Sequence, residues 1–244
     1  MAVDAEPGLL PAPPRQFFMN LRDLALWTRS ARSDALLGRL RAAHEPVAAL
    51  DQLYRQQPDP WGALLPGCRY QQLKYRRLLS LLPRRAYARA LDLGCGLGVL
   101  TRLLAPHVAA ITGVELAPAA VATARGLSTD QPNATFVQGD VLDLRLGAEG
   151  VYDLVVIADV LYYCSPLSDA RLKAVVASVE RLLAPGGVLA LANHSFFGLD
   201  HDSRVSRRIH DAFRWAPRLS LRTERWWPFF LASVLTRERE EPVP

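Results

Sequence analysis

Three glycines, Gly94, Gly96 and Gly98, stand at alternate positions directly after an apolar segment at 90–93. Glycine has no Cβ and tolerates a positive φ, so a turn of this kind lets the backbone pass close to a bulky ligand. A dinucleotide-binding turn would have the pattern GxGxxG. In this chain Val99 stands where that pattern needs its third glycine. The turn therefore predicts a ligand-binding loop and makes a nicotinamide dinucleotide a distant alternative.

Side chains that can move protons follow two further apolar segments. Asp159 comes directly after 152–158, and His194 follows 188–192. A carboxylate or an imidazole at such a position can orient a bound substrate and remove a proton from it. We predict Asp159 first and His194 second for this role, and Tyr162 as a wall of the same pocket. The alternatives are that Asp159 caps a helix or holds another part of the ligand, and that His194 and Tyr162 are structural.

The elements that position these residues alternate in type along the chain. Apolar strand-like segments are followed by helical ones at regular spacing, which predicts an α/β fold with a mostly parallel sheet covered by helices on both faces. Ligands in such sheets bind beyond the carboxyl ends of the strands. The predicted strands are 90–93, 111–115, 135–140, 152–158, 188–192, 219–225 and 230–237. A turn is predicted at 185–187, and a helix at 202–215 with Asp202 or Ser203 as its cap.

The region before residue 90 has a different texture. Leucines at helical spacing predict helices at 17–45, 47–57 and 71–82, with a Pro-rich turn at 58–62 between the last two. We therefore predict a disordered leader at 1–16, an N-terminal helical lid at 17–89 and a ligand-binding domain at 90–244. The amphipathic segment 17–57 is expected to be mobile and to order over a bound ligand.

Composition excludes several classes of protein. The 244 residues are 50% hydrophobic, but no stretch of eighteen consecutive residues is both apolar throughout and uncharged, which argues against a membrane span. The chain has three cysteines, an odd number without CxxC spacing: Cys68, Cys95 and Cys164. We therefore expect neither a disulfide framework nor a metal site, and this cysteine content fits a reducing cytoplasm. The net charge of +5 comes mostly from dispersed arginine rather than a basic stripe with aromatics, so no nucleic-acid partner is predicted.

Five consecutive segments together carry a resemblance. LDLGCGLGVLTRLLA, GVELAP, VQGDV, YDLVVIADVLYY and LLAPGGVLAL resemble the class I S-adenosyl-L-methionine (SAM)-dependent methyltransferases. The resemblance implies a Rossmann-like seven-stranded sheet and SAM as the cofactor. It also implies that the Gly-rich turn, with Gly94, Cys95 and Gly96, and the end of the fourth strand at Ala158 contact the cofactor.

The same resemblance implies a role for each acid near the strand ends. Glu115 can accept two hydrogen bonds from the ribose hydroxyls. Asp140 can accept from the adenine amine, while Val141 offers a backbone N–H and Leu116 lies against the ring face. Asp92 would face the ammonium group of the cofactor. For each acid taken alone, a solvated loop carboxylate is the alternative.

A narrower resemblance covers about residues 58–190. DPWG, YQQLKYRRLLSLLP and ADVLYYC are similar to the rhizobial nodulation N-methyltransferase family (NodS-like), although Gln71 replaces a glutamate common there. The resemblance implies that Tyr70 and Lys74, which share a helix face, reach the SAM carboxylate and that Trp61 closes over the cofactor. Alternatively, Trp61 anchors the lid and Lys74 is solvated.

Three hypotheses for function follow. The first is N-methylation of a small acceptor, amino-sugar-like or a secondary metabolite. The second moves the methyl group to a hydroxyl oxygen, with His194 as the base. The third is a catalytically silent SAM-binding module. Neither the acceptor nor the oligomeric state is specified by these motifs.

Overall fold

The computed structural model describes residues 21–65, 70–143, 150–164 and 166–239. Within these residues seven strands form one sheet in the order β3-β2-β1-β4-β5-β7-β6. The strands are β1 (Tyr87–Leu93), β2 (Val108–Glu115), β3 (Ala134–Gln138), β4 (Tyr152–Ala158), β5 (Leu183–His194), β6 (Leu219–Trp227) and β7 (Phe230–Arg237). Strands β1 to β5 run parallel, whereas β7 pairs antiparallel with β5 and β6. The predicted α/β fold with a mostly parallel sheet is confirmed.

Helices cover both faces of the sheet. They are α1 (Leu21–Ala43), α2 (Pro46–Gln56), α3 (Tyr70–Ser80), α4 (Val99–Leu104), α5 (Pro118–Leu127), α6 (Asp169–Leu182) and α7 (His201–Arg214), all within the described ranges. On one face α6 and α7 pack through Val175, Val179 and Phe213. On the other, α3 and α4 pack through Leu78 and Leu100. The last five residues of the central strand β4, 154–158, are buried between them, which explains why all five are apolar.

Several local details differ from the predictions, including the three that follow. Strand β1 starts at Tyr87, three residues before the expected boundary at residue 90. Residues 185–187 lie inside β5, where Gly186 has φ +76° and the pairing with β4 shifts register, so this segment is an irregularity of the strand and not a turn between elements. Helix α7 is capped by Asp200, whose carboxylate accepts the Ser203 N–H at 2.8 Å, and not by Asp202 or Ser203.

Helices α1 and α2 pack together and attach to the sheet domain. Leu37, Leu53 and Ala49 form their shared core. Asp51 Oδ1 of α2 accepts the backbone N–H of Ala119 in α5 at 2.7 Å, which fixes the pair beside the Gly-rich turn. The predicted leader at 1–16 lies outside the described residues. No helix among the described residues combines the length and apolar character that a membrane crossing needs.

Candidate active site

A cavity of about 880 Å³ opens at the carboxyl ends of the parallel strands. Loops after β1, β2, β3, β4 and β5 form its floor and walls, and α1, α2 and α3 cover it. Cavities that bind small ligands have volumes of about 300–1,000 Å³, so this one can hold a sizeable ligand or two smaller ones. Its position is the one that the strand pattern predicts for a ligand.

The Gly-rich turn forms the part of the cavity floor that follows β1. Gly94 and Gly96 have φ of +73° and +53°, a region that residues with a Cβ rarely adopt. At Gly94 an added Cβ would also lie 2.2 Å from Val160 Cγ2, so the turn admits only glycine there. The backbone is thereby held against the cavity, where it can approach a ligand closely.

Glu115 lies at the end of β2 and faces this turn. Its side chain is buried, with Oε2 accepting the Gly96 N–H and Oε1 accepting the Ala117 N–H, each at 3.0 Å. Burial raises the pKa of the Glu115 carboxyl, and the backbone donors work against that rise. Each oxygen keeps a second lone pair, so the carboxylate fits a ligand with two adjacent hydroxyls, as ribose has.

Loops after β2 and β3 form a flatter, more apolar wall. Leu116 and the buried Val141 line it. Asp140 Oδ1 accepts the Leu142 N–H at 2.8 Å, which orients the carboxylate at the cavity edge. Apolar faces with one fixed acceptor suit a planar base that carries an amino group.

Asp92 is placed differently from the prediction. Its side chain is 2% exposed and does not belong to the residues that line the cavity. Instead, Oδ2 accepts the Thr101 hydroxyl of α4 at 2.6 Å. Burial raises the pKa of Asp92 to about 6, with the Thr101 hydrogen bond opposing the rise. Because Thr101 takes up the carboxylate, Asp92 joins β1 to α4 and the structure does not bring it to a ligand's ammonium group.

Lys74 and Asp159 form a buried ion pair at the centre of the cavity wall. Lys74 Nζ of α3 contacts Asp159 Oδ2, with the two side chains 3% and 14% exposed. The ammonium also lies 5.3 Å and 5.4 Å from the ring centroids of Tyr70 and Tyr75. The expectation that Lys74 could be solvated is therefore wrong. The Lys74 ammonium faces Asp159. Its predicted contact with the carboxylate of the cofactor stays a prediction.

Asp159 has an unusual backbone and one unpaired oxygen. Its φ is +58°, a left-handed conformation that costs energy for a residue with a Cβ. Oδ1 is buried and has no hydrogen-bond partner among the described residues, although the residue lines the cavity. A buried acceptor without a partner is costly, and a donor on a bound ligand would satisfy it. Asp159 is thus held by Lys74 through Oδ2, while Oδ1 keeps an unused capacity to accept a hydrogen bond.

His194 is the last residue of β5 and lies beside Asp200, a residue that the sequence analysis missed. Its Nε2 is 3.2 Å from Asp200 Oδ2, the cap of α7. The Tyr162 ring, which also lines the cavity, has its centroid 6.4 Å from that of His194. If Nε2 donates to Asp200, the proton-accepting nitrogen of His194 is Nδ1. The signal for Asp200 was its spacing: it precedes the predicted helix and follows His194 by six residues.

Asp34 of α1 is a second residue that sequence reasoning missed. Its Oδ1 accepts hydrogen bonds from Trp61 Nε1 at 3.0 Å and from Tyr163 Oη at 3.2 Å. Trp61 packs against Tyr163 and Tyr54, with ring centroids 5.1 Å and 5.9 Å apart. Trp61 therefore lines the cavity and anchors α1, while its closure over a cofactor stays a prediction.

Most predicted site residues converge on this one cavity. Tyr70 also reaches it, and its hydroxyl donates to the Phe229 carbonyl oxygen at 3.1 Å. The predicted residues that line the cavity are Trp61, Tyr70, Lys74, Gly94, Cys95, Gly96, Glu115, Leu116, Asp140, Val141, Ala158, Asp159, Tyr162 and His194. Among them, Cys95 is buried, and burial raises the pKa of its thiol well above the usual range, which argues against a reactive thiolate.

Comparison with known proteins identifies the part of the chain that carries the Gly-rich turn, Glu115 and Asp140. Residues 90–187 match the family model described as a methyltransferase domain. Over these residues the chain is similar to methyltransferase domains. The resemblance to class I SAM-dependent methyltransferases is thereby confirmed.

Individual relatives agree with the family match. Nodulation protein S of Rhizobium tropici is 32% identical over 153 residues, 62% of this chain and 59% of that protein. Malonyl-[acyl-carrier protein] O-methyltransferase of Enterobacter lignolyticus is 35% identical over 113 residues, 46% and 41% of the two chains. The crystal structure of N-methyltransferase NodS from Bradyrhizobium japonicum in complex with S-adenosyl-L-homocysteine superposes with a TM-score of 0.60 at 22% identity, covering 77% and 97%.

These matches support the narrower NodS-like resemblance as well as the domain. The chain nevertheless spans only about three fifths of the length of the first relative. The structural likeness shows a shared fold for the methyltransferase domain and the elements around it.

Proposed function

We propose that the protein is a SAM-dependent methyltransferase that methylates nitrogen on a small acceptor, amino-sugar-like or a secondary metabolite. One observation carries the proposal: a single cavity holds a wall suited to an adenosine group and a wall suited to an acceptor. Glu115 and Asp140 lie on the first wall, and Asp159 and His194 lie on the second. The structure of a relative with S-adenosyl-L-homocysteine bound supports the choice of cofactor.

Methyl transfer asks mainly for alignment and exclusion of water. SAM supplies a methyl group on a sulfonium: the acceptor lone pair forms the new bond to carbon while the carbon–sulfur electron pair returns to sulfur, leaving S-adenosyl-L-homocysteine. An amine must first be neutral, and the methylated amine is again free to lose a proton. Asp159 Oδ1 can accept an N–H of the acceptor and so point its lone pair toward the methyl group. Helices α1 and α2 cover the site.

The charges on the acceptor wall favour nitrogen over oxygen. Asp34, Asp200 and Asp202 all line the cavity there. Carboxylates attract an ammonium ion, which needs only to release a proton to water or to a neighbouring acid before it reacts. The relatives named nodulation protein S, one of which is described as an N-methyltransferase, support the same choice.

O-methylation is the second candidate, and the His194–Asp200 pair favours it. A hydroxyl has a high pKa, so its proton must pass to a base as the new bond forms, and an imidazole oriented by a carboxylate is suited to that task. One relative is named an O-methyltransferase. General-base assistance is typically worth about 10²–10⁴ in rate.

Calorimetry with S-adenosyl-L-homocysteine tests the cofactor site. The wild type should bind at micromolar levels, about −8 kcal/mol. Glu115→Ala should weaken binding roughly 10- to 150-fold, because hydrogen bonds to a charged group contribute about 1.5–3 kcal/mol. Glu180→Ala is the matched control, since Glu180 is also buried and accepts a backbone N–H, from Arg218, but lies outside the cavity. Equal weakening in both variants, or tight binding of NAD instead, would end this assignment.

Turnover of two variants separates nitrogen from oxygen. If nitrogen is methylated, Asp159→Asn should lower kcat severely while His194→Ala has a mild effect. If oxygen is methylated, His194→Ala should lose about 10²–10⁴ in rate. S-Adenosyl-L-homocysteine affinity is measured in both variants, so that a loss of kcat is not confused with a loss of cofactor.

A further inference from the structure

An exposed apolar rim borders the acceptor side of the cavity. It consists of Trp27, Phe196, Phe197, Leu199 and Trp226. In the described part of the chain, Trp27 is 40%, Phe197 56% and Leu199 77% exposed. Trp27 and Phe196 line the cavity, with ring centroids 5.5 Å apart, and Phe197 extends the cluster outward, 5.1 Å from Phe196. The rim therefore continues from the cavity interior to the surface.

The backbone imposes this exposure. Phe197 and Gly198 have φ of +49° and +74° in the loop between β5 and α7. The Phe197 N–H donates to the Pro228 carbonyl oxygen at 2.7 Å, which holds the loop in place. A bulky residue with positive φ is rare, and such strain clusters at ligand sites. Large exposed apolar patches mark binding surfaces in general.

Acids lie just inside the rim. Asp34 reaches the cavity from α1, and Asp200 and Asp202 reach it from the start of α7. Burial raises the pKa of the Asp34 carboxyl, and the negative charge of Asp202 raises it further. Hydrogen bonds from Trp61 and Tyr163 lower this pKa, as does the charge of His194. A cationic ligand would relieve the repulsion between Asp34 and Asp202.

The lysine and arginine side chains that line the cavity form no ion pair with these three acids among the described residues. Lys74 pairs with Asp159. Arg41 and Arg171 also line the cavity, and their charges oppose the rise that burial causes in the pKa of the Cys164 thiol. Two imidazoles, His194 beside Asp200 and His201 beside Asp202, are the basic groups next to the acids.

We propose that the acceptor is an amphiphilic amine, whose nitrogen lies between Asp159 and the acids Asp34, Asp200 and Asp202 and whose alkyl or aryl body lies on the apolar rim. The inference rests on the proposed function and specifies its acceptor. The acids select the charged head group, and the rim selects the apolar body. An unadorned amino sugar would satisfy the first requirement and leave the rim exposed to water.

Binding of simple probes to the full chain saturated with S-adenosyl-L-homocysteine tests this. Octylamine should bind measurably by calorimetry, and octanol and glucosamine should each bind at least tenfold more weakly. Leu199→Ser should weaken octylamine several-fold, whereas Trp215→Ser, which removes an aromatic side chain that is 76% exposed outside the cavity, should not. Asp34→Asn should weaken octylamine at least tenfold, with Asp130→Asn on the surface as its control.

Each result decides the proposal. Octanol or glucosamine binding as well as octylamine would overturn it, and so would equal losses in Leu199→Ser and Trp215→Ser. If the chain binds S-adenosyl-L-homocysteine but none of the probes, the acceptor class is wrong while the proposed methyltransferase stands. If S-adenosyl-L-homocysteine itself fails to bind, the proposed function fails first.

Discussion

Replacing Lys74 by methionine should destabilise the protein strongly. Methionine keeps an unbranched apolar side chain against Tyr70 and Tyr75 but removes the charge that faces Asp159. Asp159 Oδ1 already has no partner among the described residues, so the carboxylate would be left buried with neither oxygen compensated. Breaking a buried ion pair from one side costs about 3–5 kcal/mol.

The size of the effect follows from burial. The two side chains are 3% and 14% exposed, so solvent screens the pair weakly and the buried-pair range applies. For a chain of this length, about 1 kcal/mol moves Tm by about 2–4 °C, so Tm should fall by about 6–20 °C. Lys173→Met is the control, because Lys173 is exposed on α6 and is the chain's other lysine. It should change stability by less than about 0.5 kcal/mol.

A double-mutant cycle measured by urea unfolding isolates the interaction. Asp159→Asn is the partner substitution, because asparagine tolerates the left-handed backbone found at Asp159. Lys74→Met should cost at least about 2 kcal/mol less in the Asp159→Asn background than in the wild type, which is the coupling energy of the pair. If Lys74→Met costs the same in both backgrounds, or less than about 1 kcal/mol in the wild type, the ion pair does not stabilise the site and this reasoning fails.

Three further results are expected. Burial lowers the pKa of His210 from 6.5 to about 3, so as pH falls the unfolded chain binds this proton before the folded chain does. The free energy of unfolding should therefore drop by up to about 1.4 kcal/mol per pH unit between pH 6.5 and 3. If the difference in unfolding free energy between wild type and His210→Gln in urea does not change with pH, this prediction is wrong. Asp200→Ala and Ser168→Ala, which remove the caps of α7 and α6, should each lower the free energy of unfolding by about 0.5–2 kcal/mol in urea. Asp200 lines the cavity and Ser168 does not, so only Asp200→Ala should also lower kcat, and equal kcat in the two variants would argue against a role of Asp200 in the acceptor site. Hydrogen exchange across α1 and α2 should slow when S-adenosyl-L-homocysteine binds, whereas equal protection with and without it would indicate a permanently docked element.

Local chemistry made much of the fold and the cofactor wall predictable. The strands that alternate with helices, the glycine turn and the acids at strand ends are all features of short segments. Gly94 must be glycine because its own φ is positive, and Glu115 faces the turn because it ends the neighbouring parallel strand. Parallel strands bring their carboxyl ends to one edge, so sequence position alone placed Glu115 and Asp140 together.

The partners of the charged groups were decided only by tertiary structure. Lys74 and Asp159 are 85 residues apart and meet because α3 packs across the end of β4. Asp92, by contrast, was drawn to Thr101 and away from the cavity. Asp34 sits among polar residues of α1 that look alike in sequence, and it became a cavity residue only through the docking of α1 beside Trp61 and Tyr163. Periodicity reports which face of an element is apolar, but the partner of a polar side chain depends on distances between elements that no local pattern records.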